Sequence, residues 1–398
     1  MSRTILTNAR IITPTKDFVG SVIIEDDRIS EILEGTILEE GIDLNGDILA
    51  PGLVDIHSDY LEKELRPRPS AKFPMDIAFY FMDQRAAACG ITNVHSAISF
   101  THSPEKGREF SNAIEQALEI DELRKNSIVK HNVHARLTPN SKAVLSYLNN
   151  IREIESLKLV VFNDEIPGAR QYDFDRHVEM RMKAYPDKTR EEVRVMLEEK
   201  VKELSEINLR PEIQVALGDV FVLGSHDDTT VEHVQEAKTF GCELSEMPTT
   251  IEAAREAKEQ GLFVCMGAPN YVRGGSHCGN LGCNDAMKEN LVDMICSDYH
   301  FPSLLISVIK MIDDNINISE AFNMVTLNPA KLIGEDHEIG SIEIGKKADL
   351  ITIDTSANFA KVKNVWVDGV LKFSTSAKGI GSLRYSFESK EKEPLLNN

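Results

Sequence analysis

The sequence predicts an α/β protein: a (β/α)8 TIM barrel with a small β-sandwich-like domain built from both termini. Three observations support this prediction. β-branched runs broken by Asn, Asp and Gly lie at both ends of the chain, strands alternate with amphipathic helices between them, and polar residues end nearly every central strand. An open doubly wound sheet is the alternative for the alternating pattern, but it does not predict polar residues at so many strand ends.

The two ends of the chain have the same strand-and-turn texture. Residues 1–50 contain TILTNARIITP, SVIIEDDRISEI and DLNGDILAPG, and residues 341–375 contain ADLITIDT and VKNVWVDGVLKF. We therefore expect one small β domain assembled from both termini, with two unrelated β extensions as the alternative. Residues 376–398, which end in SKEKEPLLNN, are expected to form a tail.

The central segment, residues 51–340, is predicted to form the barrel. Stretches such as VEHVQEAKTFG and TIEAAREAKEQG have helical periodicity and fit the crossovers that join parallel strands. Eight segments are predicted to be the strands of the barrel: 53–59, 91–97, 128–137, 157–164, 219–228, 242–247, 262–269 and 291–298.

One segment interrupts this alternation. Residues 173–212 are highly charged, have helical spacing and exceed the length of an ordinary loop between a strand and a helix. We expect a helical insertion between the fourth and fifth strands. A lid, a contact in a homodimer and a simple solvated helix pair are all compatible with this pattern.

The amino-acid composition argues against some classes of binding partner. The formal net charge is −20, from 64 acidic and 44 basic residues, which argues against a nucleic-acid-binding or anionic-membrane-binding surface. The sequence has no apolar run long enough for a membrane span and no apolar leader at its start, so a cytoplasmic protein is expected. The six cysteines are scattered and are expected to be reduced thiols.

The ends of the predicted strands carry possible metal ligands. His57 and Asp59 lie two residues apart on the first strand, and alternation can place both on one face. Imidazoles and carboxylates suit divalent ions, so we predict one or two, with zinc first and manganese, iron or nickel as alternatives. The predicted metal ligands are His57, Asp59, Glu165, His226 and Asp298. His95, His131 and His134 are instead expected to be packed or hydrogen-bonded within strands.

A cluster of Arg and Lys residues near the same strand ends predicts an anionic, phosphorylated small molecule as the substrate. Arginine offers a planar fork to phosphate, and adjacent glycines allow backbone N–H groups to converge on phosphate oxygens, although a glycine pair is by itself typical of a turn. The predicted substrate-binding residues are Lys63, Arg66, Arg68, Arg136, Arg170, Arg273, Gly274, Gly275 and His277.

Several longer segments carry a family resemblance. PGLVDIHSDYLEKELRPRP, SHDDTTVEHV, APNYVRGGSHCGN and SDYHFPSLL resemble the PhnM-type family of α-D-ribose 1-methylphosphonate 5-triphosphate diphosphatases, in the amidohydrolase superfamily. The resemblance extends to NPAKLIG at 328–334 and covers most of the chain. It implies metal-dependent release of pyrophosphate from a ribosyl triphosphate in phosphonate (carbon–phosphorus lyase) metabolism. It also implies that Asp298 is the catalytic residue that accepts the proton of the attacking water.

The sequence departs from the family pattern at three places. Thr138 stands where a glutamate is common, Glu165 where a histidine is common, and Glu246 is the nearest polar substitute for a histidine on the sixth strand. We hypothesise that the bridging ligand has moved from the third strand to Glu165 on the fourth. Hydrolysis of an amide or cyclic amide, and non-catalytic binding of a phosphate ester, are the alternative functions.

Overall fold

The computed structural model describes residues 2–68, 71–102, 108–276, 278–355 and 360–375. The predicted tail, 376–398, and the predicted substrate-binding residue His277 therefore lie outside the described residues.

The described strands form two sheets, and their bounds follow in chain order. The first group comes from the N-terminal region: β1 (Arg3–Ile12), β2 (Asp17–Glu25), β3 (Arg28–Glu34), β4 (Ile42–Asp43) and β5 (Ile48–Pro51). The barrel strands one to eight are β6 (Leu53–Ser58), β7 (Ile91–Phe100), β8 (Lys130–Leu137), β9 (Leu157–Phe162), β10 (Val222–His226), β11 (Leu244–Glu246), β12 (Phe263–Gly267) and β13 (Met294–Cys296). The C-terminal group is β14 (Leu350–Asp354), β15 (Lys361–Val367) and β16 (Val370–Ser374).

The terminal strands form one mixed sheet in the order β16-β15-β14-β5-β1-β2-β3, with β4 paired to β1. β5 joins the two ends of the chain because it pairs parallel to β1 and antiparallel to β14. Leu6, Ile11, Leu49 and Trp366 are buried in this unit. The expectation of a β domain built from both termini is confirmed, and its strands belong to a single mixed sheet.

The second sheet is a parallel barrel whose strands follow chain order from β6 to β13. The two end strands meet at their carboxyl ends: the backbone N–H of Asp298 donates to the carbonyl of His57 at 3.0 Å, and that of Asp59 donates to the carbonyl of Asp298 at 2.8 Å. The barrel is thereby nearly closed. The predicted (β/α)8 barrel is confirmed, and each of the eight predicted strands overlaps an observed strand.

The barrel strands are apolar on both faces because side chains pack inside the barrel and against the surrounding helices. Val54, Leu159, Val161 and Leu244 belong to an apolar cluster that includes one face of the strands, and Val160 on the opposite face of β9 belongs to the main core. Burying each such side chain contributes roughly 1.5–3 kcal/mol. The barrel can therefore hold polar side chains rigidly at its carboxyl ends.

Fourteen α-helices are described among the residues given above, and they surround or extend the barrel. They are α1 (Tyr60–Leu65), α2 (Met75–Ala88), α3 (Phe110–Leu123), α4 (Leu148–Arg152), α5 (Phe174–Ala184), α6 (Arg190–Ser205), α7 (Arg210–Leu217), α8 (Val231–Thr239), α9 (Ile251–Glu259), α10 (Ala268–Arg273), α11 (Cys283–Lys288), α12 (Pro302–Asp313), α13 (Ile318–Asn323) and α14 (Leu327–Leu332). In the described ranges, no helix has the length and apolar character needed to cross a membrane.

The predicted helical insertion corresponds to α5, α6 and the start of α7. Thr189 and Glu192 form a capping box at the start of α6, in which each side chain accepts a hydrogen bond from the other's backbone N–H. Val178 of α5 packs with Val193 and Leu197 of α6 in a small apolar cluster of their own. The two helices are therefore a paired unit rather than an extended loop.

Candidate metal centre

Four strands bring imidazoles and carboxylates together at the carboxyl end of the barrel. The ladder between β10 and β11 sets His226 directly beside Glu246. His57 is the penultimate residue of β6 and His134 lies near the end of β8, and the rings of these two histidines meet edge to face with their centroids 4.8 Å apart. All four side chains are buried. The barrel therefore assembles a cluster that no single segment of the sequence contains.

Glu246 lies at the centre of this cluster. Its Oε1 is 3.0 Å from Nδ1 of His57, and its Oε2 is 3.5 Å from Nε2 of His134 and 3.7 Å from Nε2 of His226. Burial opposes ionisation of this carboxyl, but the surrounding imidazoles hold the pKa of Glu246 well below its usual range. The group is thus an ionised carboxylate in the barrel interior.

Several polar atoms of the cluster are buried and have no hydrogen-bond partner among the described residues. They are Nδ1 of His57, Nε2 of His134, both ring nitrogens of His226 and both carboxylate oxygens of Glu246. Such unsatisfied groups are costly in a protein interior, at roughly 1–3 kcal/mol each. A cation bound among them would satisfy the nitrogen lone pairs and both oxygens at once, so the residues present fit a divalent metal ion.

The protonation state of His134 also fits a metal ligand. Its Nδ1 lies 2.8 Å from the carbonyl of Ile56, which can only accept a hydrogen bond, so Nδ1 carries the proton and Nε2 presents a lone pair toward Glu246. Burial lowers the pKa of His134 to about 3, and the ring is neutral. A neutral imidazole held by a backbone carbonyl is the usual form of a metal-ligating histidine.

A second group of ligand atoms shares His57 with the first. His57, Asp59 and Asp298 offer one ligand atom each within 4.8 Å of one another, and so do His57, His226 and Glu246. Nε2 of His57 is 3.6 Å from Oδ1 of Asp59. Burial raises the pKa of Asp298, and the negative charge of Asp59 acts in the same direction. Two adjacent groups that share one imidazole accommodate one or two ions.

The backbone is strained where three strands end at this site. Asp227, Met247 and Asp298 follow β10, β11 and β13 and have φ values of 58°, 53° and 53°. A residue with a side chain in this left-handed region is disfavoured by about 1–2 kcal/mol. The strain persists because barrel closure and the site fix these turns, and at Asp298 it coincides with the predicted catalytic carboxylate.

The structure brings four of the five predicted ligands together but not Glu165. His57, Asp59, His226 and Asp298 line one cleft with an empty volume of about 860 Å³. Glu165 lies three residues beyond β9, and its side chain lines two other cavities together with Lys200. The hypothesis that Glu165 bridges the metal is therefore corrected: Glu246 lies between the histidines, because β11 sits beside β10 in the barrel.

His134 and Glu246 belong to the cluster, although neither is among the ligands predicted from the sequence. His134 was expected to be a packed residue, yet its Nε2 faces Glu246 in the cluster. The available signal was alternation, since His134 has the same parity on β8 as Arg136, which was placed at the mouth. Likewise Glu246 is the last residue of β11, the position at which a barrel strand presents its functional group.

Three predicted substrate-binding residues surround the metal ligands. Nη1 of Arg136 is 3.6 Å from Oδ1 of Asp59, and the guanidinium lines the cleft. Lys63 donates a hydrogen bond to the carbonyl of Tyr299, and Nη1 of Arg273 donates to the hydroxyl of Tyr299 at 3.3 Å. Because Tyr299 follows Asp298, these contacts set two cations beside the site.

Arg170, predicted to bind the substrate, lies instead in a buried network of ion pairs. Its guanidinium contacts Asp164 and Asp228 at 2.5 Å each, and Arg210 also contacts Asp164, at 2.6 Å. The side chain of Arg170 is only 7% exposed. This buried network ties the loop after β9 to the end of β10, so the charge of Arg170 is offset within the protein rather than offered to a substrate.

The remaining basic candidates lie away from the metal cluster. Arg66 caps the end of α1 and lines a separate cavity with Lys72 and Arg108. Arg68 is exposed and forms an isolated bridge with Ala71. The structure does not bring these two residues to the cleft that His57 lines.

The glycine pair ends a helix. Gly274 adopts φ = 84° at the end of α10, a conformation that favours glycine. The backbone N–H groups of Gly274 and Gly275 donate to the carbonyl of Asn270, at 3.1 and 2.9 Å. The expected convergence of two available N–H groups on a phosphate is therefore corrected, because the helix terminus uses both donors.

Comparisons with known proteins agree with this geometry. A model of the amidohydrolase family matches residues 93–372. The chain is 30% identical over 375 residues to the α-D-ribose 1-methylphosphonate 5-triphosphate diphosphatase of Escherichia coli (strain K12), covering 92% of this chain and 99% of that protein.

Among solved structures, the N-acetylglucosamine-6-phosphate deacetylase of Pasteurella multocida superposes with a TM-score of 0.62 at 14% identity, over 93% of this chain and 99% of that one. The dihydropyrimidinase of Brevibacillus agri superposes with a TM-score of 0.63 at 13% identity, over 93% of this chain and 95% of that one. At such low identity these similarities show the fold alone.

Proposed function

The chain belongs to the amidohydrolase family, and we propose that it is a metal-dependent diphosphatase of phosphonate metabolism. The proposed reaction adds water to α-D-ribose 1-methylphosphonate 5-triphosphate and gives the 5-phosphate and pyrophosphate. The 30% sequence identity to the Escherichia coli diphosphatase, which extends over 99% of that protein, supports this choice of substrate. In the geometry, the observation that carries the proposal is a partly buried arginine, Arg136, whose Nη1 lies 3.6 Å from Oδ1 of Asp59, a proposed metal ligand.

The proposed ligands are His57, Asp59, His134, His226, Glu246 and Asp298, with zinc first among the candidate ions. A divalent ion at this place supplies Lewis acidity to water and to the phosphoryl group under attack. The imidazoles of His134 and His226 present lone pairs, and Glu246 supplies a full negative charge. These side chains together hold the ion at the carboxyl end of the barrel.

Asp298 is the proposed proton acceptor. Burial raises the pKa of Asp298, so its carboxylate is a stronger base than one in water. The proton of the attacking water goes to this carboxylate, and the water oxygen forms a bond to the α-phosphorus. The bond between that phosphorus and the bridging oxygen breaks, and the bridging oxygen leaves with pyrophosphate.

Arg136 is the proposed stabiliser of charge on the phosphoryl oxygens. Burial opposes its charge, but nearby carboxylates keep the pKa of the guanidinium above its usual value. A guanidinium in a site shielded from water interacts strongly with the charge that develops during phosphoryl transfer. A neutral amide carries no charge before the reaction, so Arg136 supports the phosphorylated substrate over a neutral amide.

The test is hydrolysis of the ribosyl triphosphate by metal-reconstituted protein, followed by phosphorus NMR. We expect pyrophosphate and the 5-phosphate in equal amounts, and we expect chelation to stop their release. If protein of confirmed metal content releases no pyrophosphate but hydrolyses a dihydropyrimidine or an N-acyl amino acid, the proposed substrate is wrong. Tight binding of the triphosphate without turnover in that protein would instead indicate a phosphate-ester-binding protein.

A further inference from the structure

A second cavity adjoins the metal cleft beneath the helical insertion. It shares Arg136, Gln171 and Asp227 with the metal cleft, and α5 and α6 contribute further walls to it. We call it the insertion cavity, and its empty volume is about 1540 Å³. A ligand longer than the metal cleft can therefore continue past Arg136 into the insertion cavity.

The charges of the insertion cavity are unusual for a chain with a net charge of −20. Its walls carry five Arg and Lys side chains, Arg108, Arg136, Arg170, Arg181 and Lys200. They also carry three carboxylates, Asp164, Glu165 and Asp227. Of the five cations, Arg170 pairs with Asp164 and Asp228, Arg108 pairs with Glu62, and Nη1 of Arg136 lies 3.6 Å from Asp59. Lys200 has no ion pair with any described residue and supplies positive charge to the cavity that the protein does not neutralise.

Arg136 marks the junction of the two cavities. Its Nη1 points to Asp59 at the metal cluster, whereas its Nε is buried and has no hydrogen-bond partner within the described ranges. The guanidinium lines both cavities, so a phosphate chain that crosses the junction would pass beside a positive charge.

The insertion contributes the cations at the far end. Arg181 comes from α5 and Lys200 from α6, and the apolar cluster of Val178, Val193 and Leu197 holds these two helices together. Lys200 is half-buried and makes no ion pair with any described residue. A lysine kept in a cavity without a carboxylate partner is suited to bind an external anion.

We propose that the insertion cavity binds the two terminal phosphoryl groups of the substrate, which depart as pyrophosphate. The identification of this anion as the leaving group rests on the proposed function. The α-phosphoryl group lies at the metal cluster, the chain passes Arg136, and Arg181 and Lys200 hold the terminal groups. The helical insertion is then the element that selects a polyphosphate over a monophosphate.

The test is calorimetric titration of the metal-free protein with inorganic pyrophosphate, which requires neither turnover nor metal. We expect Lys200→Ala and Arg181→Gln each to weaken pyrophosphate binding about ten-fold, because each removes a charge-assisted hydrogen bond. Lys202→Ala is the matched control, since Lys202 is exposed on the same helix and does not line the cavity. We expect that control to change the affinity by less than about two-fold.

Two further measurements sharpen this test. Thermal unfolding of each variant verifies that α5 and α6 stay folded. Inorganic phosphate should bind at least about ten-fold more weakly than pyrophosphate, because it carries fewer charges and makes fewer contacts. The proposal is overturned if Lys200→Ala and Lys202→Ala have the same effect, or if the wild-type protein does not bind pyrophosphate. If the binding pattern holds but the ribosyl triphosphate is not hydrolysed, the anion site stands and the proposed reaction fails.

Discussion

Nδ1 of His57 lies 3.0 Å from Oε1 of Glu246 inside the barrel, but the contact does not have the geometry of a hydrogen bond. His57 is the penultimate residue of the first barrel strand, and Glu246 is the last residue of the sixth. The pair joins opposite walls of the barrel around a place suited to a cation. Burial opposes protonation of the imidazole, but Glu246 and Asp59 raise the pKa of His57 well above its usual value, so a metal ion would compete with a proton there.

Glu246→Gln should weaken metal binding by about two orders of magnitude or more. The substitution keeps the size of the side chain but removes the negative charge between three imidazoles. Competition with a chromophoric chelator measures the affinity. Metal binding equal to that of the wild type would show that Glu246 is not a ligand.

Replacing His134 and His95 separately by Asn distinguishes a ligand from a packed histidine. His95 is also buried, donates through Nδ1 toward the carbonyl of Asp55 at 3.0 Å, and has its pKa lowered to about 4 by burial. We expect both variants to lose on the order of 1–3 kcal/mol of unfolding free energy. Only His134→Asn should lose bound metal, measured by elemental analysis after dialysis. Equal metal content in the two variants would remove His134 from the ligand set.

Glu165→Gln should leave the metal content unchanged and strengthen the binding of pyrophosphate. Glu165 lies outside both groups of ligand atoms, and its charge opposes an anion in the insertion cavity. Elemental analysis and calorimetry measure the two effects. A loss of metal in this variant would restore Glu165 as a ligand and contradict the assignment made from the structure.

Asp298→Asn should reduce turnover by about three orders of magnitude while the affinity for pyrophosphate stays within about two-fold of the wild type. The amide cannot accept the proton of water, and Asp298 does not line the insertion cavity. Single-turnover phosphorus NMR and calorimetry provide the two measurements. Turnover at the wild-type rate would exclude Asp298 as the proton acceptor.

The network around Asp164 predicts a dependence of stability on pH. Burial raises the pKa of Asp164, but Arg170 and Arg210 outweigh this effect, so the folded-state pKa lies below the unfolded one. The stabilisation is then fully present above the unfolded pKa of about 3.9 and is lost as the pH falls through the lower folded value.

The wild-type protein should therefore lose more unfolding free energy than Asp164→Asn between roughly pH 4 and pH 2. Urea unfolding across this range provides the comparison. Parallel pH profiles for the two proteins would show that the ion pairs do not contribute to stability.

Local patterns in the sequence were sufficient to predict the barrel. The βα units carry their own strand runs and helical periodicity, and two of them also carry a cap residue: the side chains of Thr230 and Thr250 accept hydrogen bonds at the starts of α8 and α9. The sequence also predicted that His57, Asp59, His226 and Asp298 lie together, because the position of each residue at a strand end can be recognised within one segment.

The tertiary structure alone decided which of the other polar residues reach the site. Glu246 and His134 enter it because barrel closure carries β8 and β11 to positions facing β6, a relationship between segments far apart in the chain. Arg170 and the glycine pair are drawn away, the first by Asp164 and Asp228 and the second by the end of α10. A sequence pattern specifies which side chain is present at a strand end. Which partner each charged group or N–H group binds depends on distances that exist only in the folded chain.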